Sequence, residues 1–363
     1  MIHAIRPPLQ LKSGKNVFPK LLFAYSEEAL KFLLYHQIEK SGIKVHLEPK
    51  IPYVKEKLIF YEGPYPQYEF KSRASHLEPD ILCEGRRVLI ECENFFKVGI
   101  NEIVKHAHGY EKALGLRSFA AVWKAEAITQ QLRFSYGGWE RVGDRVVQVN
   151  PATGVIDASP LFYEEGPKPP EGINFEYALP GSPEFHTRME YELGVWLWGR
   201  GEQVAFEIPI SSGGKVYGPD KLVVSEAKGF VEWEPRGWSP YQLDLRPPDV
   251  KVDVVSYSPE DGTLRGYEIK SRRDLASGGD RVVSRTLREP LIMLRSGLFN
   301  EVYIVLPVTE AETMAESLGG SSDDEDRALG VLALTSPYSF KVIKPAKPRR
   351  PEKSSSLTVT LSS

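Results

Sequence analysis

The order of elements in the first half of this 363-residue chain recurs in its second half. In each half a helical pattern leads to a short strand bearing one glutamate. A polar excursion, an Asp-bearing hairpin, a further helix and an apolar strand follow. VHLEPKIP at 45–52 and VAFEIPIS at 204–211 hold matching places, which brings Glu48 and Glu207 into correspondence. A repeat of whole elements points to two copies of one supersecondary unit, an internal duplication. With 41% apolar and 11% aromatic residues the chain can build a core in each copy.

In the first copy, Ser26 can cap a helix that carries Glu27 and Glu28 in its first turn and Leu30, Leu33, Leu34 and Ile38 as its apolar stripe. Gly42 ends it. A strand is expected over 44–52, a Tyr-rich excursion over 52–76, a hairpin over 79–94, a helix over about 101–113, and strands at 119–123 and 146–149. The second copy reads as a helix over 187–199, a strand over 203–210, an excursion over 211–248, a hairpin over 251–274, a helix over about 282–296 and a strand over 301–307. Residues 319–326, GGSSDDED, read as a solvated acidic loop, and 329–345 as a closing hairpin. The expected domains are therefore 1–150 and 186–345. A proline-rich linker over 151–185 joins them, and a basic, Ser-rich disordered tail over 346–363 follows.

The hairpin of the second copy carries the chemistry. Val252, Val254 and Val255 are β-branched, Ser258-Pro259-Glu260-Asp261-Gly262 is a turn signal, and 264–269 resumes an extended pattern. A turn at Glu260-Asp261 puts Asp253 opposite Glu268, and Lys270, two residues on, shares that face. Two carboxylates this close repel unless a cation lies between them, and Mg²⁺ takes one or two carboxylates while keeping several waters. A lysine beside it can orient the attacking water and offset charge in a phosphorane-like transition state. The bland alternative is an amphipathic hairpin with a solvated salt bridge.

Asp253 with Glu268-Ile269-Lys270 resembles the PD-(D/E)XK nuclease superfamily, whose restriction-endonuclease-like fold presents Asp and then Glu-x-Lys from adjacent strands. The resemblance implies two tandem α/β domains, each a mixed central sheet flanked by helices, and Mg²⁺- or Mn²⁺-dependent hydrolysis of DNA phosphodiesters. It implies Asp253, Glu268 and Lys270 as catalytic residues and an upstream acid, Glu207 or helix residues Glu190 and Glu192, completing the metal shell. Asp249, after Pro248, is an alternative to Asp253. In the first copy Asp80, Glu91 and Glu93 match Asp253, Glu268 and Lys270, with Glu48 upstream. The lysine is missing there, which points to a degenerate or regulatory copy whose carboxylates would still bind a divalent cation. Some active members of the superfamily carry Glu at that position, however, and Lys97 lies close by. An exposed acidic hairpin face is the plain alternative.

DNA is the expected partner, with Arg272, Arg273, Arg285 and Arg288, beside Arg281, available to hold phosphates; a solvated basic helix face is the alternative. Residues 211–248, with Trp233, Trp238 and Tyr241, and the basic tail are candidate surfaces for a protein partner. His106 and His108 are two apart and do not share a helical face, so zinc is not expected. The net charge of −3 disfavours a general DNA coater. A nuclease-derived binding or assembly protein without catalysis is the rival reading. Cys83 and Cys92 fall too far apart in one hairpin to bond, which fits a reducing, cytoplasmic setting. No run of 18 apolar residues occurs, so neither a membrane span nor an export signal is expected. Asn and Gln total 14 against 46 basic and 49 acidic residues, a composition seen in thermophiles.

Overall fold

The computed structural model describes residues 27–52, 58–60, 68–70, 76–92, 110, 114–123, 146–149, 156–157, 178–210, 222–225, 230–233, 250–258, 260–276, 282–349 and 360–361. The chain divides into two compact units, one over Glu27–Ala178 and one from Leu179 onward.

The first unit opens with α1 (Glu27–Lys40), whose acidic first turn and basic last turn both favour the helix dipole. It buries Leu30, Leu34 and Ile38 almost completely. Gly42 terminates it at φ 82, a left-handed value that costs glycine little. The strands are β1 (Val45–Leu47), β2 (Ile81–Cys83), β3 (Val88–Cys92), β4 (Arg117–Trp123), β5 (Val146–Val149) and β6 (Ile156–Asp157), and they lie side by side in that order. Pairing is antiparallel for β1–β2 and β2–β3, parallel for β3–β4 and β4–β5, and antiparallel for β5–β6. The β2–β3 connection is one 3-10 turn over Glu84–Arg86, and its left-handed residue is Arg87 at φ 54 rather than Gly85.

The second unit repeats this plan. Helix α2 (His186–Gly199) precedes β7 (Gln203–Ile210), β8 (Val250–Tyr257), β9 (Leu264–Ile269), β10 (Glu301–Pro307), β11 (Gly330–Ser336) and β12 (Ser339–Lys344), again adjacent in chain order. The pairing directions are the same five in the same sequence: two antiparallel, two parallel, one antiparallel. Helices α3 (Arg272–Ala276) and α4 (Val282–Arg295) carry the chain from β9 to its parallel neighbour β10, and α5 (Val308–Gly320) and α6 (Asp324–Ala328) carry it on to β11. Parallel pairs require such crossovers. Val252, Val255, Val302, Ile304, Val331 and Ala333 of the sheet pack with Met293 of α4 and Ala311, Met314 and Leu318 of α5. Each large aliphatic side chain so buried contributes roughly 1.5–3 kcal/mol.

Several boundaries differ from the sequence reading. The expected linker is partly structured, because Ile156–Asp157 joins the first sheet, while the Gly181 N–H donates to Glu192 and the Pro183 carbonyl accepts from the Arg272 N–H in the second unit. The acidic loop at 319–326 begins inside α5, a helix the sequence reading lacks, and ends inside α6, where Asp323 caps the helix by accepting from the Glu325 N–H. The expected tail is anchored at its start, with the Lys347 N–H bonded to the Ala328 carbonyl and the Arg349 N–H to the Asn300 carbonyl. Thr360–Leu361 pairs in parallel with Leu222–Ser225, itself paired with Phe230–Trp233 inside the excursion. Most of the expected helix at 101–113 lies outside the described residues.

Candidate functional site

In the second unit the site forms where β7, β8 and β9 run side by side. Extending the β8–β9 register one step beyond the Val254–Tyr267 pair sets Asp253 across from Glu268, as the hairpin reading requires. On the other side, Glu207 lies between the Phe206–Val254 and Ile208–Val252 pairs and so faces Asp253. The first unit has the same arrangement. One step beyond Ile81–Ile90, Asp80 faces Glu91, and one step beyond Leu47–Ile81, Glu48 faces Asp80 and donates its N–H to the Asp80 carbonyl at 2.8 Å.

Two finer features coincide. Glu48 and Glu207 both have left-handed backbones, φ 39 and φ 49, an unusual state for a non-glycine residue inside an edge-strand segment. Both aspartates bend their carboxylates back to the next strand. Asp253 Oδ2 accepts the Ile269 N–H at 2.6 Å and Asp80 Oδ2 accepts the Cys92 N–H at 2.6 Å, in each case from the residue after the glutamate. The four acids therefore occupy equivalent places in the two sheets.

The charges around them differ. In the second unit Lys270 donates to Glu268 Oε1 at 2.5 Å and to Glu289 Oε2, from α4, at 2.7 Å. Burial opposes the Lys270 ammonium, but Glu268, Glu289 and Asp253 outweigh it and keep the group charged beyond the ordinary lysine range. Glu268 is only 1% exposed, and burial, reinforced by the nearby Asp253, holds its carboxyl well above the usual range. Its Oε2 is buried and accepts no hydrogen bond. His186, the first residue of α2, lies 3.6 Å from Asp253 and 3.2 Å from Asp274. Burial works against its positive charge, yet Asp253 and Asp274 hold its pKa well above the usual value, so it stands as an imidazolium.

The candidate upstream acids are engaged differently. Glu192 is fully buried and engaged elsewhere: Oε1 accepts from Arg188 at 2.7 Å and from the Gly181 N–H at 2.6 Å, and Oε2 accepts from the Tyr338 N–H at 2.9 Å. It is a structural residue. Glu190, 5% exposed, is close enough to His186 to strengthen its charge. Glu207 accepts from the exposed Lys251 at 2.8 Å, which draws its carboxylate toward solvent. Asp249 and Glu93 lie outside the described residues, as do Lys97, His106 and His108.

The arginines are partly committed. Arg272 pairs with Glu310 at 3.0 Å and Glu184 at 3.5 Å, and Arg273 stacks on the Phe185 ring at 4.2 Å. Arg288 is exposed, and the side chain of Arg285 lies outside the described set. Sequence reasoning missed Lys31, Glu28, His186 and Glu289, all of which reach the acidic sites from helices. The detectable signal was positional, since α1 and α2 are both 14 residues long and start the same distance before Glu48 and Glu207.

Among the described residues no three His, Cys, Asp or Glu side chains are gathered closely enough to hold a metal by themselves. A site for Mg²⁺ or Mn²⁺ needs less than that, because these ions keep several waters and take one or two carboxylates. Asp253 and Glu268 supply two, and the buried, unmatched Oε2 of Glu268 is an oxygen donor of the right kind. Among the described residues no helix is long and apolar enough to cross a membrane. Comparison with family models, curated proteins and solved structures finds no match to this chain.

Proposed function

We propose that the chain is a metal-dependent nuclease of the PD-(D/E)XK type, hydrolysing DNA phosphodiesters through its second unit. The observation that carries this reading is the set formed by Asp253, Glu268 and Lys270 at two adjacent strands, with one buried oxygen of Glu268 that accepts no hydrogen bond. The mixed sheet with flanking helices supports the restriction-endonuclease-like fold that the motif implies.

In this reading Asp253 and Glu268 would hold Mg²⁺ or Mn²⁺, which when bound would supply Lewis-acid polarisation of the phosphodiester. Lys270 carries the positive charge that offsets the developing phosphorane and orients the attacking water. The new P–O bond would form from that water, whose proton passes to bulk water, as the P–O bond to the leaving sugar oxygen breaks and that oxygen takes a proton from solvent. Glu289 competes with substrate for the same ammonium, so its contact holds Lys270 in position while no phosphate is bound. His186 lies 3.6 Å from the Asp253 oxygen that accepts the Ile269 N–H and offsets its charge. Arg288, exposed on α4, is available to a phosphate, whereas Arg272 would have to leave Glu310 and Glu184 first.

The test is cleavage of labelled single-stranded, duplex and branched DNA with Mg²⁺ or Mn²⁺ by wild type, Asp253→Asn, Lys270→Ala and Asp80→Asn. Metal-dependent cutting lost in the two second-unit variants and kept in Asp80→Asn supports the assignment. A folded protein that cuts none of these substrates under any of these conditions replaces it with a nuclease-derived binding or assembly role.

A further inference from the structure

The two units exchange a lysine and a glutamate. Residues 31 and 190 are each the fifth residue of an equivalent helix, and the first is Lys where the second is Glu. Residues 93 and 270 each lie two beyond the β-strand glutamate, and there the first unit has Glu and the second Lys.

The helix lysine of the first unit does not merely stand near the acids. Lys31 is 3% exposed, and its ammonium contacts Glu28 Oε1 at 2.8 Å, Glu48 Oε1 at 2.8 Å and Asp80 Oδ1 at 3.0 Å. An ammonium has three N–H donors, and three carboxylates take them. Two of those carboxylates, Glu48 and Asp80, are the counterparts of Glu207 and Asp253. In the second unit the corresponding helix position presents a carboxylate, Glu190. There Lys270 reaches Glu268 and Glu289 and the exposed Lys251 reaches Glu207, and among the described contacts neither lysine pairs with Asp253.

We infer that Lys31 is a built-in counter-cation, seated against Asp80, the counterpart of the Asp253 that the second unit would offer to a divalent ion, so that the first unit folds with its aspartate already engaged and binds no metal. The inference rests on reading the second unit as the metal-binding one only for the contrast it draws; Lys31 itself is tested in the first unit. Without Lys31 the buried Asp80 and the partly buried Glu28 and Glu48 would lose their shared cation, and charge taken out of water must be matched by a cation or a proton. One internal ammonium supplies part of that match without any ion from solution. It also explains why a strand lysine is dispensable in the first unit, where its place is taken by Glu93.

Mn²⁺ binding to the full chain, counted by electron paramagnetic resonance and paired with thermal melts, tests this. Lys31→Met is expected to bind one more Mn²⁺ per chain than wild type, and to be stabilised by Mn²⁺ where the wild-type first unit is not. If Lys31→Met folds only when Mn²⁺ is present, the ion has replaced the ammonium and the inference stands. If it stays unfolded in saturating Mn²⁺, or folds and gains no site, the inference fails. Asp80→Asn is expected to leave the wild-type Mn²⁺ count unchanged, and a lower count also overturns it. The converse variant, Glu190→Lys, is expected to abolish the second-unit site while remaining folded. Wild type that binds no Mn²⁺ refutes the second-unit reading alone, because the count for Lys31→Met still decides the first.

Discussion

Replacing Asp253 by Asn and by Ala separates what this residue does for the fold from what it does for chemistry. Its Oδ2 accepts the Ile269 N–H at 2.6 Å, and Ile269 is fully buried. Asn keeps a side-chain acceptor of the same shape in that place, whereas Ala leaves a buried N–H without a partner, at a cost of about 1–3 kcal/mol. Both substitutions remove one negative charge, so both relieve repulsion on Glu268 and both lose the attraction to His186. Those effects cancel when the two variants are compared with each other. Ala is therefore expected to be less stable than Asn by about 1–3 kcal/mol, or roughly 2–12 °C in Tm for a domain of this size. Urea unfolding followed through Trp196 and Trp198 of α2 reads the difference. Cleavage and Mn²⁺ binding are expected to be lost equally in the two variants, since neither has the carboxylate. Equal stability for Asn and Ala would refute the claim that Asp253 anchors the Ile269 backbone, and full cleavage by Asn would refute its charge as a catalytic requirement.

Arg188 and Glu192 form a fully buried ion pair, with the guanidinium also bonded to the Tyr338 hydroxyl at 2.6 Å and stacked near Tyr191 and Tyr338. Arg188→Met is expected to cost about 3–5 kcal/mol by stranding the Glu192 charge, and the double variant with Glu192→Gln to recover part of it, as chemical denaturation will show. A Cβ on Gly330 would lie 2.5 Å from the Tyr303 ring and 2.8 Å from the Ala346 backbone nitrogen, so Gly330→Ala is expected to lose about 1–3 kcal/mol in the same assay. Burial pushes the Cys83 thiol from an ordinary 9.0 up to about 12. The unfolded thiol ionises first, so this contribution to stability is complete below pH 9 and falls by about 1.4 kcal/mol per unit as pH rises toward 12. Cys83→Ala is expected to flatten that slope above pH 9, and iodoacetamide to label neither Cys83 nor Cys92 until the protein unfolds.

How much of this was readable from the sequence depended on the range of the interaction. The β8–β9 hairpin was legible because its turn and register are local: Glu260 and Asp261 occupy the turn, and the Ser258 N–H closes it on the Thr263 carbonyl at 2.9 Å. Strands β7 and β10 were legible to the residue from their apolar runs. The pairing of Glu48 with Glu207 was legible from element order alone. Helix α5 was missed because its stripe, Ala311, Met314 and Leu318, is thin against several glutamates, and the GGSS that follows resembles a loop. Glu192 was indistinguishable from Glu190 in sequence, since both are acids on one amphipathic helix. Only tertiary contacts from Gly181 and Tyr338 assign it to the core. Lys31 escaped for the same reason, because a lysine within an apolar helix stripe is ordinarily a solvated residue whose stem snorkels.

The two sites together show what is retained and what is exchanged when one unit occurs twice. The left-handed glutamates at 48 and 207 cost backbone energy in both units, since a non-glycine residue in that region is held at about 1–2 kcal/mol above the extended state. A strain repeated at equivalent places is set by the architecture, because the edge strand must turn there to carry its glutamate past the aspartate on the neighbouring strand. The countercharge is free to vary. Geometry fixes where the acids stand, and nothing in it dictates whether the positive charge arrives from the helix, as Lys31 does, or from the strand, as Lys270 does. A helix lysine points into the cluster and is sealed by it, 3% exposed, whereas the strand lysine lies at its rim with a side chain 18% exposed. Only the second of these can turn from its carboxylates to a phosphate without unpacking the unit that carries it.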